Sequence, residues 1–185
     1  WNEDTERLDS PLNRQELKLI PKTSEALKIM QKLGYNLIVI TNQPAAAKGK
    51  TDLANIYEVN NKLRDTLQKD NIYLDDIMMC PHHPVGSQSA KEKFLIRSCD
   101  CRKPKTGLLK RAFKKLNIDF DKSFLVGDSH TDIIMAGGFN LKSVFLGDYK
   151  CDTCRRLLGI NKPDLIFKSL YDFVIFLKNK RRDSR

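Results

Sequence analysis

The sequence predicts an α/β fold built on a mostly parallel sheet. Three observations carry that expectation. Segments with apolar residues at helical spacing alternate with short apolar runs, the order that βαβ units impose. The runs at residues 36–42 (NLIVITN), 123–128 (SFLVGD) and 141–147 (LKSVFLG) are largely apolar without strict alternation, as in strands buried on both faces. The first two end in polar signatures, TNQ and GDSHTD, at the carboxyl ends of strands, where open α/β sheets bind ligands.

The elements follow in order. Residues 1–20 are polar and irregular, with Pro11 and Pro21 as punctuation. Residues 22–33 place Ala26, Leu27, Ile29, Met30 and Leu33 at helical spacing, and Gly34 stops the helix. After the strand at 36–42, residues 51–70 form a long helix whose inner stripe is Leu53, Ile56, Tyr57, Asn60, Leu63 and Leu67. A short strand at 75–80 leads into a loop at 81–102 rich in Pro, Gly and Ser, with almost no apolar residues to fold it. A helix at 106–116, the strand at 123–128, a short helix after Thr131, the strand at 141–147, a short strand at 164–167 and a closing helix at 170–177 complete the chain.

The 185 residues fit one domain, 1–185, long enough to bury a core without staples. A net charge of +10 raises the question of a polyanionic partner. The cations are spread over helix faces and the terminal run KNKRRDSR, not interleaved with aromatics, so a nucleic-acid module is not expected. A small anionic substrate suits the same field. No apolar run approaches the ~20 residues of a membrane span. Five cysteines, an odd number, argue against a disulfide framework and for metal in a reducing, cytoplasmic setting.

The motifs carry the chemistry. Cys80-Pro-His82 and Cys99-Asp-Cys101 together offer three thiolates and an imidazole, a closed tetrahedral zinc set that is structural rather than catalytic. His82 is preferred to His83 by its spacing from Cys80. Cys151 and Cys154 have no partner half and are expected to be incidental thiols in a loop. In GDSHTD, Asp128 follows an apolar strand and Asp132 lies one helical turn on, so both carboxylates can face one point; such oxygens suit Mg²⁺. His130 is expected to be exposed or a local hydrogen-bond partner. Thr41, Asn42 and Gln43 supply a hydroxyl and backbone N–H groups for a phosphate hook. Arg102 and Lys103 follow the metal cluster directly, and Lys103 offers a point charge to phosphate oxygens.

In this order, Thr41 after a strand, the block CPHHP…CDCRKP, Lys103 and VGDSHTD, the sequence resembles the haloacid dehalogenase (HAD) superfamily of phosphotransferases. The zinc block narrows the resemblance to D-glycero-D-manno-heptose 1,7-bisphosphate 7-phosphatases and the related zinc-containing histidinol-phosphate phosphatases. The resemblance implies a Rossmann-like fold without a large cap, a zinc-braced loop at 80–101, and Mg²⁺-dependent hydrolysis of a phosphorylated sugar through an aspartyl phosphate. It implies that Thr41 holds the phosphoryl group, Lys103 balances its charge, Asp128 holds Mg²⁺, and Arg102 recognises the sugar or its remaining phosphate. A monomer acting in cytoplasmic heptose synthesis is the expected setting, with a histidinol-phosphate phosphatase or a non-catalytic sugar-phosphate-binding module as the alternatives.

The sequence departs from the family pattern at two places. The family opens on a buried strand ending in Asp-x-Asp-Gly, whose first Asp is the nucleophile. Asp4-Thr5-Glu6 is the nearest segment here, and Trp1-Asn2 resembles the residues just after that motif. The expectation is a chain that starts downstream of its first strand and is inactive as it stands. The loop TNQPAAAKG replaces a stretch nearer TNQSGIARG, so that Pro44 removes an N–H and Lys48 stands for a planar guanidinium.

Overall fold

The computed structural model describes residues 10–147 and 152–183, with side chains described except at 152–155 and 183. The chain forms two compact units. One holds residues 36–102 with the described part of the first 20, and the other holds residues 21–35 and those from 103 onward.

In the first unit, β1 (Ile38–Asn42) pairs in parallel with β2 (Asp76–Cys80), in a register that sets Thr41 opposite Met79 and Asn42 opposite Cys80. The crossover between them is the helix Leu53–Lys69, labelled α2 because α1 precedes it in the chain. The helix buries Ile56, Val59 and Leu67. Tyr57, expected on the inner stripe, is 54% exposed. At about 100° per residue it points a quarter-turn away from Ile56 and Leu67, whereas Val59 falls within the stripe. Leu95, Ala45, Ala46, Ala47 and Ile56 form one core cluster, with Leu12, Leu53 and Met79 packed against it. Full burial of Ile56 and Leu95 stabilises this unit by about 1.5–3 kcal/mol each. β1 is half-buried along its length, not buried on both faces as its composition suggests, because within this two-stranded sheet it has a single neighbour.

In the second unit, α1 (Thr23–Lys32) buries Ala26 and Met30 and lies against α6 (Leu170–Asp183). The Arg181 guanidinium donates to the Leu33 carbonyl at 2.7 Å and sits 4.9 Å from the centroid of the Tyr35 ring, covering the open end of α1. α3 (Gly107–Leu116) leads to a parallel sheet ordered β3-β4-β5, from strands Phe124–Gly127, Lys142–Leu146 and Leu165–Phe167. β4 lies in the middle and is the most buried, with Val144 at 0% and Phe145 at 2% exposure. α4 (His130–Gly137) and α5 (Asp152–Ile160) cover it, and Ile133, Phe145 and Leu158 meet in one cluster. Asp164 pins the start of β5 to β4: its carboxylate accepts from the Ser143 N–H at 2.7 Å and hydroxyl at 2.6 Å.

The α/β class and the parallel pairing match the sequence expectation. The expected loop around Cys154 is instead helical, since residues 152–160 form α5; Cys151 and the Cys154 side chain lie outside the described residues. The closing helix also runs to residue 183 rather than 177. Among the described residues, no helix is long and apolar enough to cross a membrane.

Candidate active site and metal centre

The first unit assembles a four-donor cluster where β2 ends. One ligand atom from each of Cys80, His82, Cys99 and Cys101 lies within 4.8 Å of the others. Cys80 Sγ is 3.2 Å from Cys101 Sγ, 3.6 Å from Cys99 Sγ and 3.7 Å from His82 Nδ1, which is 3.3 Å from Cys101 Sγ. Bond lengths of ~2.0–2.3 Å to a central ion give a tetrahedron with edges of roughly 3.5–3.8 Å. The observed separations therefore fit a thiophilic ion after a small expansion. Burial, with the Cys101 thiol beside it, pushes the Cys80 thiol up from its ordinary value. Burial acts the same way on Cys99, but hydrogen bonds from Cys101, Cys80 and the backbone outweigh it and hold that thiol low. Pooling the charge of such thiols on a cation relieves the cost of burying them.

The loop above the cluster is not held by those ligands alone. Leu95 is 2% exposed in the core cluster with Ala45, Ala46 and Ala47, and Ala90 is 3% exposed. The sequence expectation of a loop with almost no apolar support is corrected here: a short 3₁₀ turn, Lys93–Leu95, delivers one leucine into a seat made of alanines. The Ser87 N–H donates to the Ala47 carbonyl at 3.0 Å, and His83 exchanges backbone bonds with Leu95 and Arg97. A Cβ on Gly86 would stand 2.5 Å from the Ala47 oxygen, so only glycine lets the loop lie this close. Glu92 accepts the Leu53 N–H at 3.1 Å, which ties the loop to the start of α2.

The same turn explains the TNQPAAAKG segment. Ala45, Ala46 and Ala47 are buried under the loop, so their small size is a packing requirement. The Gln43 N–H donates to the Cys80 carbonyl at 2.8 Å, and Pro44 has no N–H. The expected phosphate hook therefore loses two backbone donors, one bound and one absent. Gln43 still presents a side chain that is 8% exposed, with its buried Oε1 lacking a hydrogen-bond partner among the described residues. Arg102 donates to the His82 carbonyl at 3.3 Å. Burial lowers the affinity of the His83 imidazole for a proton against the opposing hydrogen bond to the Val85 carbonyl, and the fields of Arg102 and Lys48 lower it further.

In the second unit, β3 ends at Gly127, and Asp128 stands exposed just beyond it. Ser129 caps α4: its Oγ accepts the Thr131 N–H at 3.3 Å, while the Ser129 N–H donates to Asp132 Oδ2 at 3.2 Å, a capping box. Asp132 Oδ1 meets Lys103 Nζ at 2.7 Å, with side chains only 8% and 14% exposed. A Cβ on Gly127 would lie 2.4 Å from the Asp132 carboxyl carbon, so the glycine is what admits that carboxylate. Asp132 holds a cation on one oxygen and a helix cap on the other, and Asp128 is the more exposed of the two carboxylates. One carboxylate suits Mg²⁺, which keeps several waters and takes further oxygens from a phosphate.

A family model for HAD-hydrolase-like proteins matches residues 100–173. A D-glycero-beta-D-manno-heptose-1,7-bisphosphate 7-phosphatase from Haemophilus ducreyi is 34% identical over 164 residues, covering 88% of this chain and 86% of that protein. The chain belongs to the HAD-like heptose bisphosphate phosphatase family. The family member of the same name from Salmonella typhi is also 34% identical, over 85% of this chain and 81% of its own length. The crystal structure of D,D-heptose 1,7-bisphosphate phosphatase from B. bronchiseptica, complexed with magnesium and phosphate, superposes with a TM-score of 0.73 at 21% identity, over 91% of this chain and 88% of that one. At that identity the likeness shows the fold.

Against the expectations for a heptose bisphosphate phosphatase, the structure gathers Cys80, His82, Cys99 and Cys101 in one cluster and sets Thr41, Asn42 and Gln43 on the strand end beside Cys80. Asp4 lies outside the described residues. The sequence pointed to Lys103 but not to its partner: a spacing of four residues says which way Asp132 faces and nothing of what meets it. His130 is half-buried rather than exposed, and its buried Nδ1 has no hydrogen-bond partner among the described residues.

Proposed function

We propose that the protein is a Mg²⁺-dependent phosphomonoesterase that removes the 7-phosphate of D-glycero-D-manno-heptose 1,7-bisphosphate, as a cytoplasmic monomer with a structural zinc ion. The observation that carries the reading is Lys103 held on Asp132 over Gly127, because family membership supplies the reaction class and this pair supplies a fixed cation for it. Bound at Asp128, magnesium supplies Lewis-acid neutralisation of phosphoryl oxygens. Lys103 adds a second positive charge in a fixed place, so little reorganisation is needed as negative charge shifts during phosphoryl transfer. Thr41 donates its hydroxyl to the phosphoryl group, with Asn42 and the Gln43 side chain beside it. Arg102, with Lys48 in support, recognises the remaining phosphate. In the family's aspartyl-phosphate scheme these residues hold the phosphoryl group and its charge and are not the nucleophile. Cys80, His82, Cys99 and Cys101 hold zinc as a closed site, leaving no position for water, and so shape the loop rather than the chemistry.

The test is phosphate release from a panel of esters. Turnover of the heptose bisphosphate well above histidinol phosphate, lost on Asp128→Ala, is the expected result. Selective turnover of histidinol phosphate would overturn the sugar assignment, and tight binding of the bisphosphate without turnover would overturn the enzyme assignment.

A further inference from the structure

The three thiols of the cluster differ in access. Cys80 is 0% and Cys101 1% exposed, whereas Cys99 is half-buried. Cys80 touches both of the others, at 3.6 Å and 3.2 Å. It also sits on a strand end fixed by the β1–β2 ladder, while Cys99 belongs to the loop. A bound ion occupies the sulfur lone pairs and keeps the thiolates apart. Without it, the Cys99 and Cys80 sulfurs need to close by only ~1.5 Å to reach the disulfide length of about 2.05 Å. An accessible thiol beside a resolving thiol is the arrangement of redox-sensing cysteines.

We propose that this cluster, read as a metal site, is also a metal-guarded redox device: in the metal-free protein a peroxide oxidises Cys99, and Cys80 closes on it to form an intrachain disulfide that bars the metal. The electrons balance. The Cys99 sulfur attacks the peroxide O–O bond, which breaks to give Cys99 sulfenic acid and water. The Cys80 sulfur then attacks the Cys99 sulfur, expelling the hydroxyl as a second water that carries away the thiol proton. Two thiols are oxidised and one peroxide is reduced. The product leaves Cys101 and His82, too few ligands for a closed tetrahedral site. It tethers the base of the loop covalently, with Leu95 still in its alanine seat.

The experiment treats zinc-loaded and chelator-stripped protein with hydrogen peroxide. It follows zinc release, free thiols and the disulfide map by peptide mass, the map separating a Cys80 linkage from any bond between Cys151 and Cys154. The stripped protein is expected to form Cys80–Cys99 at least tenfold faster than the loaded protein, reversibly with a dithiol reductant. Cys101→Ser is expected to keep this bond and Cys99→Ser to lose it. Stripped protein that keeps Cys80 and Cys99 reduced, a map that joins Cys80 to Cys101, or equal rates with and without zinc would each overturn the proposal. Purified protein that takes up no zinc would instead overturn the metal reading, and zinc stoichiometry, measured first, keeps the two failures apart.

Discussion

The Cys/His cluster and the Lys103–Asp132 pair lie in different units and are built by opposite means. The cluster joins a strand end to a loop, and its four donors are three thiols and an imidazole held to one another only by weak sulfur hydrogen bonds. The pair is made by a strand that ends in glycine, a capped helix, and a lysine in the turn after Cys101 whose charge is matched at 2.7 Å. On the reading proposed above, an ion finishes one site, whereas the fold alone builds the other. Electrostatic preorganisation then has two sources, and the Lys103–Asp132 pair is the one made without a metal.

Withdrawing the metal is the largest way to break that contrast. Cys101→Ser, or stripping with a strong chelator, is expected to cost at least about 3 kcal/mol in the first unit. Amide exchange should rise across residues 81–98, with little change in β3, β4 and β5. Equal loosening of both units would erase the distinction.

Next comes Lys103→Ala. It leaves the Asp132 carboxylate buried without its cation, at a cost of about 3–5 kcal/mol, and is expected to lower kcat by roughly 10²–10³-fold. Urea melts and phosphate release check the two parts. The double variant Lys103→Met, Asp132→Asn is expected to recover stability and not turnover.

A smaller effect is expected from Gly127→Ala. Its new Cβ, 2.4 Å from the Asp132 carboxyl carbon, must displace that side chain, costing about 1–3 kcal/mol. Turnover should fall with zinc content unchanged, whereas Gly86→Ala should disturb the metal loop instead.

The smallest concerns Asp164, at the start of β5. Hydrogen bonds from the Ser143 hydroxyl, then from its N–H, hold the carboxyl below its ordinary value of 3.8. A depressed folded-state value stabilises the protein above the ordinary value, and this contribution is lost as pH falls through the folded one. Asp164→Asn is therefore expected to cost about 1 kcal/mol at neutral pH. Its deficit against the parent should shrink in thermal melts taken below pH 4, and a constant deficit would refute the assignment.

The strands and the residues at their ends were legible because apolar runs and polar endings are local signals. The clustering of Cys80, His82, Cys99 and Cys101 was legible because their spacing is short on both sides. Leu95 was not, since one leucine in a polar stretch carries no period; its seat exists only when the alanine turn is folded beneath it. Nor was the lysine's partner, which lies 29 residues away along the chain. The helix Asp152–Ile160 was hidden by cysteines that draw attention to chemistry rather than to periodicity. In the helix Leu170–Asp183, the cationic tail reads as a terminal charge run although the helix continues through it.

The ladder between β1 and β2 has a further consequence. Asn42 stands opposite Cys80, and the next rung is the Gln43 amide on the Cys80 carbonyl. A sulfur drawn toward an ion pulls on the same residue that holds this amide proton. The nitrogen-15 resonance of Gln43 should therefore report cation exchange at the cluster, through one backbone hydrogen bond and with no sugar present.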